Sequence, residues 1–245
     1  LNPIAGSDIA FKEEWWQEWE VRPYTMNVYV MCDPAHSKKK TSNRTAMAVV
    51  GVDANYNKFL LDGLCHRLSL SERWDNLKKL RTKWKRAPGI REVKVGYERY
   101  GAQADIEHFK EMMRIEGSSF PIYELNWVGG GGSQSKKDRI QRLEPDLKDG
   151  SFFFPYPTDK NHLTSSQVDY KERKQDFLNS KKILCKNEEG KLYDLSNWVK
   201  ENEYCLFPSI HPDFLDALSR IYDMDAMPPM PRRGRNLEPE LEATY

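Results

Sequence analysis

Apolar positions along the chain fall first into short runs and then into helical spacing. Residues 27–32 (NVYVMC), 45–52 and 58–64 are strands by their length and their β-branched and aromatic content. Asp33-Pro34 stops the first, because proline has no N–H for a ladder. A basic, polar loop over 38–43 joins the first two runs, and the turn Asp53-Ala54-Asn55-Tyr56-Asn57 joins the second to the third, which predicts an antiparallel meander. From 71 to 85 the spacing lengthens. Trp74, Leu77, Leu80 and Trp84 share one helical face, serines precede them, and Pro88-Gly89 ends the helix. A fourth strand over 93–97 ends in Glu98; a second amphipathic helix over 102–116 carries Ile106, Phe109, Met112 and Met113 and stops at Gly117; residues 121–126 give a fifth strand. A glycine run (129–132) leads into a basic helix over 136–143.

Beyond Gly150 the pattern is less regular. Residues 152–154 are a short strand, Asn187-Glu188-Glu189-Gly190 joins 183–185 to 191–193 as a hairpin, and Phe214, Leu215, Leu218, Ile221 and Tyr222 predict a helix over 211–225. The expected organisation is a linker over 1–26 that docks by its tryptophans, one α/β domain over 27–226 with an insertion at 158–207, and a flexible tail over 227–245 rich in Pro, Arg and Glu.

Composition narrows the class. Of 245 residues 39% are apolar, enough for a real core, while 31% are charged and no apolar run approaches the ~18 residues of a membrane span. Leu1 in place of Met, with no basic flank and apolar core behind it, predicts a chain cut from a longer protein. Cys32, Cys65, Cys185 and Cys205 form no CxxC pair and no ligand spacing with histidines, so neither a zinc site nor a disulfide framework is expected, and the setting reads as cytosolic. The net charge of +1 conceals a basic middle: residues 32–150 carry 23 basic and 16 acidic side chains, against two and five before them and 13 and 16 after. That is the footprint of a nucleic-acid binder or of solvated helix faces.

Three acidic positions stand out. Asp33 follows strand one, Glu98 follows strand four, and Asp213 or Asp216 opens the late helix. Strand ends of an α/β sheet converge on one edge, where such acids would repel unless neutralised. A pair of Mg²⁺ or Mn²⁺ ions would do so and would support phosphodiester hydrolysis; the plainer reading of each acid is a turn former or helix cap. Lys38, Lys39, Lys40 and Arg44 after Asp33, and Lys136, Lys137 and Arg139 on the basic helix, are either phosphate contacts or solvated surface. No G-x-x-x-x-G-K-[ST] occurs.

The motifs NVYVMCDPA (27–35), VGYERYG (95–101), KKDRIQRLEP with GSFFFP (136–155) and HPDFLDAL (211–218), in this order, resemble the nuclease domain of the large terminase subunit of tailed bacteriophages. The resemblance implies an α/β ribonuclease H-like fold, with a central mixed sheet of five or more strands flanked by helices. It also implies a metal-dependent endonuclease that cleaves concatemeric double-stranded DNA at the start and end of genome packaging, with two divalent ions, Mg²⁺ or Mn²⁺ in vitro. Asp33 and Glu98 match the first and second metal ligands. Pro212 stands where the family often has the first acid of a doublet, which leaves Asp213 and Asp216 for the third. Implied partners are double-stranded DNA, an ATPase domain in cis, a portal protein and a small terminase subunit, in the host bacterial cytoplasm and away from membranes. The rivals are a resolvase or integrase-like nuclease of the same fold and a catalytically silent DNA-docking module.

Overall fold

β2 (Met26–Asp33) is an interior strand of a seven-stranded sheet, and all its residues except Asp33 are buried. A strand covered on both faces reads as a continuous apolar run, which is how NVYVMC reads. The computed structural model describes residues 11–35, 44–98, 103–126, 133–156, 183–186 and 190–230. β3 (Thr45–Val52) pairs antiparallel with β2, and β4 (Lys58–His66) antiparallel with β3. β5 (Ile90–Glu98) lies parallel on the other side of β2, followed by β6 (Ile122–Leu125). The order β4-β3-β2-β5-β6 with only β3 reversed is the ribonuclease H-like arrangement.

Two further strands extend the β4 side: β7 (Phe152–Pro155), parallel to β4, and β1 (Gln17–Trp19), parallel to β7. The sequence pattern did not predict β1. Its attachment is aromatic: Trp16 stacks on Phe154 with ring centroids 3.5 Å apart, and Trp19 Nε1 donates to the Leu60 carbonyl at 3.0 Å.

Helices flank the sheet. α1 (Leu70–Arg86) is opened by Ser69 and Glu72 in a capping box and buries the expected Trp74, Leu77, Leu80 and Trp84. α2 (Gln103–Glu116) follows β5. The basic helix begins earlier than expected, as α3 (Ser133–Gln141), and the chain re-enters a short helix, α4 (Glu144–Lys148), with Pro145 in its first turn. The hairpin forms as β8 (Leu184–Lys186) and β9 (Leu192–Asp194). α5 (Leu195–Asn202) then places Leu195 and Val199 in the main core, joined by Tyr204 and Phe207.

The late helix is shorter than its periodicity suggests: α6 (Phe214–Ser219) passes into a 3-10 turn over Arg220–Asp223. α6 lies directly on the sheet because Gly63 of β4 has no side chain; a Cβ there would stand 2.8 Å from the Phe214 ring. Past the turn, the Met227 carbonyl accepts hydrogen bonds from Asn27 Nδ2 and Tyr29 OH, both at 3.1 Å. No described helix is long and apolar enough to cross a membrane.

Candidate active site

Parallel pairing of β2 with β5 sets Cys32 opposite Tyr97 in register. The next residues, Asp33 and Glu98, therefore end neighbouring strands side by side, pointing to the other face from Cys32 and Tyr97. Their carboxyl groups are hydrogen-bonded to each other. Burial, this bond and the charges of Glu98 and Asp216 push the Asp33 carboxyl well above the usual carboxylate range. For Glu98 burial acts upward too, but the bond from Asp33 and the Arg220 and Arg139 guanidiniums outweigh it and hold the group below its ordinary value.

The turn after Asp33 is fixed from two sides. The Ala35 amide donates to Thr45 Oγ1 at 3.0 Å, and Arg73 Nη1 donates to the Ala35 carbonyl at 2.8 Å while Nη2 reaches Asp105 Oδ1 at 3.3 Å.

α6 brings the late acids to the same edge. Asp213 is the residue before the helix and Pro212 lies outside it, so the helix expected from 211 begins at Phe214. The Asp213 side chain makes no cap hydrogen bond. The capping comes from Glu203, whose Oε1 accepts the amides of Asp213 and Phe214, each at 3.1 Å, and whose Oε2 accepts that of Leu215 at 2.9 Å. These are amides that a helix start leaves unpaired. Glu203 is 3% exposed, and burial raises its pKa to about 7 against the pull of the three amides.

Protein cations fill the space among the acids. Asp213 Oδ1 accepts from Lys136 Nζ at 2.9 Å, and its Oδ2 accepts the Arg44 amide at 2.9 Å. Asp216 is 1% exposed and is held in a fork by Arg139, Nε on Oδ1 at 2.8 Å and Nη2 on Oδ2 at 2.6 Å. Lys136 Nζ is also 3.6 Å from Asp216 Oδ2. Fully buried Arg220 pairs with Glu98 and, at 2.8 Å, with Asp223, which Arg142 also reaches at 2.7 Å.

Asp33, Glu98, Asp213, Asp216, Lys136 and Arg139 are thus gathered in one place. Lys136 and Arg139, expected to face a DNA backbone or solvent, are turned onto the acids of α6. Arg44 contributes its amide, while its guanidinium lies 5.4 Å from the Trp198 ring centroid. Lys137 is half-buried on α3, and His211 is exposed. Lys38, Lys39, Lys40 and the glycine run 129–132 lie outside the described residues. Sequence reasoning missed Glu203, Arg220, Arg142 and Asp223.

The four acids offer hard oxygen donors, the chemistry that suits Mg²⁺ or Mn²⁺. Asp33 and Glu98 end neighbouring strands, so a cation between their carboxyl groups would be held by both strand ends. As arranged, no three acids among the described residues converge on one point that could hold an ion, because Lys136 and Arg139 occupy Asp213 and Asp216. The donor set fits a divalent ion at Asp33 and Glu98. Asp213, with its oxygens on a lysine and an amide, is more open to join than Asp216, which a guanidinium fork encloses.

No family model and no curated protein matches the chain. In structure it is similar to the human cytomegalovirus terminase nuclease domain, manganese-soaked with inhibitor bound, at 14% identity and a TM-score of 0.47 over 91% of each chain. It is similar to the large terminase nuclease of thermophilic phage G20c at 13% identity and a TM-score of 0.43, over 88% of this chain and 97% of that one. The yeast mitochondrial Holliday junction resolvase Ydc2 follows at 11% identity and a TM-score of 0.30, over 66% and 77%.

Proposed function

We propose that the chain is a divalent-metal-dependent endodeoxyribonuclease, the nuclease part of a large terminase subunit that cuts concatemeric double-stranded DNA when packaging starts and ends. The observation that carries the reading is the meeting of Asp33 and Glu98, hydrogen-bonded at adjacent parallel strand ends, with Asp213 and Asp216 of α6 beside them. Asp33, Glu98 and Asp213 would hold the ions, with Asp216 as the partner of Asp213. Bound there, two Mg²⁺ or Mn²⁺ ions would activate water and stabilise the leaving oxygen of a phosphodiester.

The chain's own residues do the positioning. β2 and β5 fix Asp33 and Glu98 at the edge, Arg220 orients Glu98 from below, and Glu203 sets the height of α6 and so of Asp213. Cleavage is sequence-tolerant, because binding rests on contacts from Lys38, Lys39, Lys136 and Lys137 to phosphates, which carry no sequence information. The full assembly includes an ATPase domain in cis, a portal ring and a small terminase subunit, in the host bacterial cytoplasm.

The test is cleavage of supercoiled plasmid and of a branched junction, each with Mn²⁺ and with EDTA and without ATP. Metal-dependent cutting of the plasmid supports the reading. Cutting confined to the junction assigns a resolvase, and binding without cutting assigns a docking module.

A further inference from the structure

Four acids and three basic side chains share the cluster, and the three cations are not held alike. Arg139 grips both oxygens of Asp216, and Arg220 is without exposure between Glu98 and Asp223. Withdrawing either would strand a buried carboxylate. Lys136 is different. It is an ammonium on a flexible four-carbon stem, with one hydrogen bond to Asp213 at 2.9 Å and a looser approach to Asp216 at 3.6 Å. Its side chain and that of Asp213 both keep some exposure, 14% and 16%.

Charge balance follows from these contacts. Lys136, Arg139 and Arg220 already set three positive side chains against Asp213, Asp216 and Glu98. A first dication held by Asp33 and Glu98 adds to that positive charge. A second would enter a region already cationic, where each oxygen of Asp213 and Asp216 already accepts a hydrogen bond. That changes if Lys136 moves to an external anion, since Asp213 Oδ1 is then released.

We propose that Lys136 is a tethered counter-ion that keeps a second divalent cation out of the acid cluster until a phosphodiester backbone draws the lysine away. The inference rests on the reading of the cluster as a divalent-ion site. It makes Lys136 both a guard of Asp213 and a phosphate contact, in that order, so that a fully loaded site exists only on DNA. Metal loading, and with it cutting, is thereby tied to the presence of substrate.

The experiment is calorimetric titration of Mn²⁺ into the whole chain, alone and with a phosphorothioate duplex that resists cleavage, repeated with Lys136→Met and accompanied by thermal melts. Wild type alone is expected to take one Mn²⁺ per chain, wild type on the duplex two, and Lys136→Met two with or without the duplex. Two ions on free wild type at the affinity of the variant would overturn the proposal, as would a single ion on folded Lys136→Met. If the variant does not fold, the duplex arm decides: one ion on wild type both with and without DNA overturns it. Wild type that binds no Mn²⁺ under any condition removes the metal-site reading itself, a result separable from the others.

Discussion

Asp62, inside β4, and Asp33, at the end of β2, are aspartates of one sheet, both largely withdrawn from water, and the sheet treats them differently. Asp62 accepts from the Gly63 amide at 2.9 Å, from Trp84 Nε1 at 3.2 Å and from Lys83. Its charge is answered by donors. Asp33 faces Glu98 and Asp216, and Lys136 and Arg139 offset them only at a distance. The first carboxylate is matched by its own donors and the second is set among other acids, which is how a structural carboxylate differs from one at a candidate functional site.

Four measurements break or sharpen that contrast. The largest effect belongs to Asp33→Asn, expected to lower plasmid cleavage about 10³-fold or more, roughly 4 kcal/mol of transition-state stabilisation. Its melting temperature should hold or rise, because a like-charge contact is relieved. A melt as depressed as that of an Asp62 variant would erase the distinction. Asp62→Ala should do the reverse, losing about 2–3 kcal/mol in denaturant titration by leaving the Trp84 N–H and Gly63 amide unpaired, with the folded fraction cleaving normally.

Glu203 lies between the two cases, buried and fully bonded yet serving the helix of Asp213. Its folded pKa of about 7 is above the ordinary 4.5, so its contribution to stability is complete below pH 4.5 and fades as pH rises towards 7. Glu203→Gln does not ionise and escapes that loss. The variant should gain on wild type by about 3 kcal/mol between pH 4.5 and 7.5, read from melts across the range. A constant difference at every pH would show that Glu203 does not titrate in the fold. The smallest effect is that of Lys137→Ala, expected to flatten the log-log salt dependence of DNA binding by about one unit without changing Mn²⁺ affinity. A change in Mn²⁺ affinity would put Lys137 inside the cluster with Lys136.

The strands that build the centre are legible because burial on both faces leaves an unbroken apolar signature, and α1 is legible because its tryptophans and leucines recur at helical spacing. Asp33 and Glu98 are legible as acids that follow strands. What stays hidden depends on long-range contact. β1 is only three residues, Gln17–Trp19, with no alternation, and is a strand because Trp16 finds Phe154. Glu203 stands in a polar stretch beside exposed Glu201 and Asn202, and nothing local separates the buried acid from its neighbours. Lys136 and Arg139 are visible as cations, but a helix poor in apolar residues looks the same whether it faces water or a bed of carboxylates. Burial of Arg220 depends on Glu98, which the chain brings near only through the sheet and α6.

The edge formed by β1 has a mechanical meaning. Gln17, Glu18 and Trp19 run parallel to Phe153, Phe154 and Pro155. A pull directed along β1 from the chain ahead of Phe11 therefore loads the ladder in shear, so its bonds resist together instead of peeling in turn. The Trp16–Phe154 stack and the buried Phe11 ring, packed on Tyr204 and Phe207, oppose the same slide. Because Tyr204 follows Glu203 in the chain, the anchor of this edge and the carboxylate that caps α6 are neighbours in one packed segment.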